Sequence, residues 1–424
     1  MKRLLATIAF IAIAAPAQAQ TVEAPREVAE QIAQAVETNF YDAQRAQTIA
    51  AEVRQNASAG RYDLANPADF AAALTATLSP HDGHFRVEYT PPGAGASGGG
   101  NAVPGVAARG NYGVPSATMY PGGVGVIDIR LFAHFNPADS APPEKQAIDA
   151  ALTMTAGADA LVFDMRDCAG GSPVMVGYLA AHFAAADADI YNTFRTRGGD
   201  ANERPLLEPA MARRLETPLF MLISGRTGSA CESFAYTLQA AGRATVVGEA
   251  SAGAANPGGY IPLGQGLAVF VSAGTPVNPI TGRNWEGAGV QPDVAAPTAQ
   301  SLTRARQLAL EAIIANPGSA GADVEARWAL DALNAESRAA PRGLDAYAGN
   351  YGPRSVRVED GGLVLHRDRR PGLALLPLAE RDHFAVAGAA PQQRVRFERD
   401  ARGRISAMVL TLITGQEIRD LRAN

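Results

Sequence analysis

The chain has 424 residues, with 37 Lys and Arg against 42 Asp and Glu, and a formal net charge of −5. That length allows two or three domains, and a hydrophobic content of 47% supplies each with a core. The acidic balance argues against a nucleic-acid partner.

The N-terminus reads as a secretory leader. Lys2-Arg3 is the charged start, Leu4 to Ala15 the apolar stretch, and Ala17-Gln18-Ala19 a small-residue cleavage site before Gln20. Loss of residues 1–19 removes Lys2 and Arg3 and takes the charge to −7. The apolar stretch is too short to span a bilayer, and no other segment is long enough. No cysteine follows the cleavage site, which argues against a lipid anchor there. The expectation is a soluble protein, periplasmic or secreted, with the leader cut after Ala19. Export makes a disulfide between the two cysteines, Cys168 and Cys231, chemically possible, but the sequence does not supply the geometry and the pairing stays open.

Residues 20–88 carry helical periodicity. Val28, Ile32 and Val36 share one face, and Ile49 and Val53 another. Asn66-Pro67 opens a third helix through Leu74 and Leu78. After the turn Ser79-Pro80-His81-Asp82-Gly83-His84, residues 85–89 alternate as a strand. Residues 91–112 are rich in Gly, Pro, Ala and Ser and read as a loop; 89–122 form the lead-in to the core.

From residue 123 strands and helices alternate: a strand over 124–132, a helix over 143–155, a strand over 160–165, a helix over 173–185, and a strand over 219–223. A helix then starts at Ser229, and a strand covers 244–247. This pattern predicts a mostly parallel sheet covered by helices, with ligands at the carboxyl ends of the strands. Two loops fall at such ends. One is Asp164-Met165-Arg166-Asp167-Cys168-Ala169-Gly170-Gly171; the other is Ser224-Gly225-Arg226-Thr227-Gly228-Ser229. Residues 300–315 and 323–336 read as closing helices, within a helical linker over 299–342. From 343 to 424, short alternating runs separated by turns predict a small antiparallel β-domain.

Ser229 follows a glycine at a strand-to-helix turn, which exposes its hydroxyl and aims helix N–H groups beside it. It reads equally as a helix N-cap. A nucleophilic serine needs a base. Beyond the leader the chain has a single lysine, Lys145, in the polar start of a helix, so a serine–lysine dyad is close to excluded. Among the histidines, His81 and His84 share the turn at a helix-to-strand junction, and His134 sits in a turn after a strand. His182 sits within a helix face and reads as a packed or surface residue, and His366 and His383 belong to the β-domain. Backbone N–H groups at Gly170-Gly171 and Ala230 are natural oxyanion donors, although Gly170-Gly171 is equally a tight turn.

In this order, DALVFDMRDCAGGSP, PLFMLISGRTGSACESFAYTLQAAGRATVVGE and NPITGRNWEGAGVQPDV resemble the C-terminal-processing (tail-specific) serine peptidase family. SPHDGHFRVEY and NYGVPSATMYPGGVGVIDIRLFAHF resemble its branch related to tricorn protease and to the repeats of interphotoreceptor retinoid-binding protein. The resemblance covers about residues 25–298 and implies an α/β fold, with a helical N-terminal region beside a crotonase-like peptidase core over 123–298. Position by position it implies Ser229 as nucleophile, His84 as base and Glu286 as the supporting carboxylate. Gly170, Gly171 and Ala230 match the oxyanion donors. The lysine of the family's dyad branch is missing from the segment after Gly248-Glu249, and no PDZ-like domain stands between the helical region and the core, where that branch often carries one. The final β-domain resembles the lipocalin-like domains appended to some periplasmic hydrolases. The expectation is a serine endopeptidase acting on peptides or proteins, with no cofactor and no metal. The alternative is a non-catalytic module binding an apolar ligand or peptide on the same scaffold.

Overall fold

The computed structural model describes residues 21–91, 106–390 and 392–423. The leader and most of the Gly/Pro-rich segment lie outside the described residues. The chain divides into two compact units, Met1–Gly100 with Pro257–Gly274, and Asn101–Asn256 with Thr275–Asn424. Among the described residues no helix is long and apolar enough to cross a membrane.

The first unit holds the helices Pro25–Asn39, Ala43–Ser58 and Pro67–Leu78. Their starts are set by caps: Asp42 accepts the N–H groups of Gln44 and Arg45, and Asn66 those of Ala68 and Asp69. Val28, Ile32, Val36, Ile49, Val53 and Leu74 are all buried, as their helical spacing requires. Truncating one of them to Ala would cost roughly 2–5 kcal/mol. The strand Arg86–Tyr89 pairs antiparallel with Leu267–Ser272, Arg86 standing opposite Phe270, and Leu267–Ser272 pairs in turn with Gly258–Gly264. A hairpin from far along the chain therefore completes this unit, fixing the strand that leaves His84.

The second unit is built on a six-stranded sheet. Its order is Val294–Ala295, Ala244–Gly248, Leu219–Ile223, Ala160–Asp164, Val124–Asp128 and Ser116–Tyr120. All neighbours run parallel except the antiparallel edge strand Ser116–Tyr120. The two central strands are buried along their whole length, which explains their unbroken apolar runs. Alternate residues serve two cores. Ile127, Leu161, Phe163, Met221 and Ile223 pack with the helices Pro143–Met154, Pro173–Ala180 and Ala230–Ala240. Val126, Val162, Phe220 and Leu222 pack with Thr298–Ala315 and Ala322–Ala335 on the other face.

Two elements are shorter than their sequence pattern predicts. The strand from Val124 ends at Asp128, because Phe132 leaves the sheet to bridge Gly171: its N–H bonds Gly170 O at 2.8 Å, and its carbonyl accepts from Ser172 N at 2.7 Å. The helix from Pro173 ends at Ala180, because His182 and Phe183 bond back by three residues, to Leu179 and Ala180, and tighten the chain into turns.

The C-terminal part forms an eight-stranded antiparallel sheet in which each strand pairs with the next, from Gly349–Tyr351 to Glu417–Leu421. A bridge between Tyr351 and Arg422, with Ala423 N bonded to Asn350 O at 2.8 Å, joins first strand to last and closes a barrel. The expected fold class, a helical start, an α/β core and a small antiparallel β-domain, is the one observed.

Candidate active site

Ser229 stands between the Leu219–Ile223 strand and the Ala230–Ala240 helix with φ 53° and ψ −122°, a conformation that costs a non-glycine residue energy. What holds it there is Glu232, fully buried one turn into the helix. Its carboxylate accepts from Ser229 N at 2.7 Å, Gly253 N at 2.7 Å, Ala254 N at 2.9 Å and the Ser251 hydroxyl at 2.5 Å. Four donors on one carboxylate fix the serine backbone and the 251–254 loop together. The Ser229 side chain remains exposed.

The loop after Asp164 is tied to the Ser229 loop along its length. Thr227 Oγ1 donates to Met165 O at 2.8 Å, Ser224 Oγ to Arg166 O at 2.5 Å, and Gly228 N to Cys168 O at 3.0 Å. Asp167 pairs with both Arg226 and Arg130, whose hydrogen bonds hold its carboxyl below the usual carboxylate range. A disulfide joins Cys168 to Cys231, the second residue of the Ser229 helix, across 63 positions of sequence. The pairing left open by the sequence is therefore made, and it locks the two loops covalently.

This zipper brings Gly170 against the serine. Gly170 has φ 131°, and a Cβ placed on it would stand 2.8 Å from Ser229 Cβ and 3.2 Å from Ser229 Oγ. A side chain on Gly171, at φ 137°, would run into the Phe132 carbonyl. Both positions need glycine, for close approach as well as for backbone conformation. Among the described residues no acceptor takes the N–H of Gly170, Gly171 or Ala230. Unclaimed N–H donors beside an exposed hydroxyl are the kind of group an oxyanion needs.

Glu286 is joined to this cluster through the loop that Glu232 organises. Its Oε2 accepts the N–H groups of Ala255 at 2.9 Å and Asn256 at 3.0 Å, and Gly287 N bonds Gly253 O at 2.9 Å. Ser229, Ala230, Gly170, Gly171 and Glu286 thus all sit on connected loops of the second unit.

His84 belongs to the first unit. Its N–H donates to Asp82 Oδ1 at 2.9 Å, its Nδ1 lies 3.3 Å from the same oxygen, and its ring packs on Phe270. The rival His81 has its Nε2 on Glu52 at 2.8 Å. His134 is exposed, its Nδ1 2.9 Å from Ser172 Oγ. His182 is buried against the Tyr178 carbonyl, and burial lowers its pKa. Lys145 is partly buried, which pulls its pKa down, but its bonds to Asp149 and Tyr178 outweigh this and raise it; it is a protonated lysine, not a base. Sequence reasoning missed Asp82 as the carboxylate on His84, and Glu232 as the anchor of Ser229. The spacing of Glu232, three residues after the serine at a helix start, was a visible capping-box signal.

The observed arrangement is a serine in a strained strand-to-helix turn on an α/β core, with backbone donors beside it. Residues 123–296 match the model of Peptidase family S41, and over that stretch the family resemblance carried by the ordered motifs is borne out. Among solved structures, the photosystem II D1 C-terminal processing protease is similar at 18% identity, covering 65% of this chain and 94% of its own, with a TM-score of 0.40. A lipoprotein from Streptococcus agalactiae is similar at 13% identity, over 72% of this chain and 100% of its own, with a TM-score of 0.45. The tricorn protease is similar at 10% identity, over 66% of this chain and 35% of its own, with a TM-score of 0.39.

Proposed function

We propose that this chain is an exported serine endopeptidase that cleaves peptide bonds through an acyl-enzyme. Ser229 Oγ attacks the peptide carbonyl while His84 takes its proton. The tetrahedral oxyanion is held by the N–H of Ala230 and by that of Gly170 or Gly171. Collapse expels the amine, which leaves with the proton from His84. Water, deprotonated by the same histidine, then hydrolyses the ester and frees Ser229. Asp82 orients His84, and Glu286 supports the histidine as the second carboxylate of the set.

The observation that carries this reading is Ser229 itself: an exposed serine in a strained backbone conformation, with Gly170 pressed against it and, among the described residues, no acceptor on the neighbouring donors. Digestion of an unbiased peptide library by the purified chain tests it. Internal cleavage that disappears in Ser229→Ala is the expected result. Intact peptides, or cleavage equal in Ser229→Ala, would favour the non-catalytic binding module.

A further inference from the structure

Within the second unit, a crevice lies between the closing helices and the outer wall of the barrel, and the peptidase reading leaves it unused. Strand register shows how it arises. Leu375, on the strand Leu373–Pro377, and Phe384, on His383–Val386, belong to the barrel core. Their neighbours Leu376 and Ala385, which stand opposite one another, therefore face outward, and Arg394 stands opposite Ala385 on the next strand. The helix Ala322–Ala335 packs against these strands and presents Ala329 and Ala332. Small side chains on both sides do not fill the gap, and a cavity of about 200 Å³ remains.

Its charged lining is unfinished. Arg394 is met by Asp331 at 2.6 Å. Arg306, on the helix Thr298–Ala315, stacks over the Tyr120 ring at 4.1 Å, but among the described residues its guanidinium makes no hydrogen bond and no ion pair. Its Nε is buried without an acceptor, while the terminal nitrogens stay accessible. Burial lowers its pKa, as expected of a cation short of both water and partners. Glu336 lines the same cavity, is exposed, and feels the charge of Arg306 without pairing with it. Two opposite charges thus flank one small apolar space and do not meet.

We propose that this crevice binds a free apolar α-amino acid, with its carboxylate on Arg306, its ammonium on Glu336 and its side chain against Ala329, Ala332 and Leu376. A guanidinium fork matches a carboxylate in shape and charge. A zwitterion meets both charges at once, whereas a simple anion or cation meets one and leaves the other. Water supplies hydrogen bonds but no countercharge. The volume lies below the roughly 300–1,000 Å³ of pockets for larger ligands, which suits a molecule of single-residue size. A longer peptide holds its two termini too far apart to serve both groups. Neither Arg306 nor Glu336 belongs to the proposed catalytic set, so this inference is independent of the peptidase reading.

Calorimetric titration of the full chain with L-leucine at neutral pH tests it. L-Leucine should bind saturably at one site. 4-Methylpentanoate and 3-methylbutylamine keep its side chain and lack one charge each, and both should bind about tenfold more weakly or worse. Glu336→Gln should weaken L-leucine by a similar factor and leave the melting temperature unchanged, because that side chain is exposed. Arg306→Gln should weaken it at least as much, and Ala332→Leu, which fills the apolar side of the crevice, should abolish binding. No saturable binding, equal binding of either singly charged analogue, or wild-type affinity in Glu336→Gln or Ala332→Leu would each overturn the proposal.

Discussion

Asp82 and His84 form one unit: a single carboxylate oxygen, Asp82 Oδ1, accepts the backbone N–H of His84 and faces its Nδ1 at 3.3 Å. The Asp82 side chain is 1% exposed, so water does not compete for it. A carboxylate at Nδ1 selects the tautomer whose Nε2 is bare, the form a general base needs. Asp82→Asn should therefore lower kcat on a peptide substrate about a hundredfold or more and move KM little. In the same assay His84→Ala should lose nearly all turnover. His81→Ala and Lys145→Ala should keep most of it, since those side chains are engaged with Glu52 and Asp149. An active Asp82→Asn would remove Asp82 from the machinery, and an active His84→Ala would remove the proposed base.

The contact of Gly170 with Ser229 gives a steric test. In Gly170→Ala the new methyl group sits where Ser229 Cβ and Oγ already are, and its backbone angle is strained besides. The variant should lose roughly 1–3 kcal/mol of stability. Its rate of acylation should fall far more, about a hundredfold or beyond, because the donor and the nucleophile are both displaced. Thermal melting and single-turnover acylation, measured on one preparation, separate the two effects.

The Cys168–Cys231 bond spans 63 positions and joins the loop before Gly170 to the Ser229 helix. Closing a loop of that size restricts the unfolded chain, so Cys168→Ala with Cys231→Ala should destabilise the protein by about 2–4 kcal/mol. Denaturant unfolding with and without reductant measures this. The wild type should fall towards the double variant when reduced, and the double variant should not respond.

Glu203 carries a pH signature. It is buried, bonded by Ser233 Oγ at 2.6 Å and Asn192 Nδ2 at 3.1 Å, and burial pushes its pKa up to about 8. The folded state thus holds a proton that the unfolded chain gives up near its ordinary glutamate pKa. Stability should fall as pH rises from about 4.5 to about 8 and level off above it. Glu203→Gln, which mimics the protonated acid, should flatten that slope and be more stable than wild type at pH 8. Melting curves across this range check the sign; parallel slopes for both proteins would show that Glu203 is not the group.

What was legible in the sequence was local. The continuous apolar runs at Leu219–Ile223 and Ala160–Asp164 announced buried strands, and Asn66-Pro67 announced a helix start. Ser229 was visible because glycine, serine and a helical pattern are adjacent in the chain. The hairpin Gly258–Ser272 could not be placed, because its pairing with Arg86–Tyr89 links segments far apart in sequence and nothing local encodes that register. The disulfide was undecidable for the same reason. Asp82 lay within a motif already singled out, but its role depends on a turn that folds it back onto His84. Glu203 gave no signal at all, since only its burial distinguishes it from a surface acid.

The central claim is that Ser229 is an activated nucleophile. Its most direct test is labelling of the purified chain with a fluorophosphonate and mapping of the modified residue by mass spectrometry. The account predicts one adduct, on Ser229, formed much more slowly in His84→Ala and absent in Ser229→Ala. An unlabelled wild-type protein, or an adduct on another residue that persists in Ser229→Ala, would contradict it.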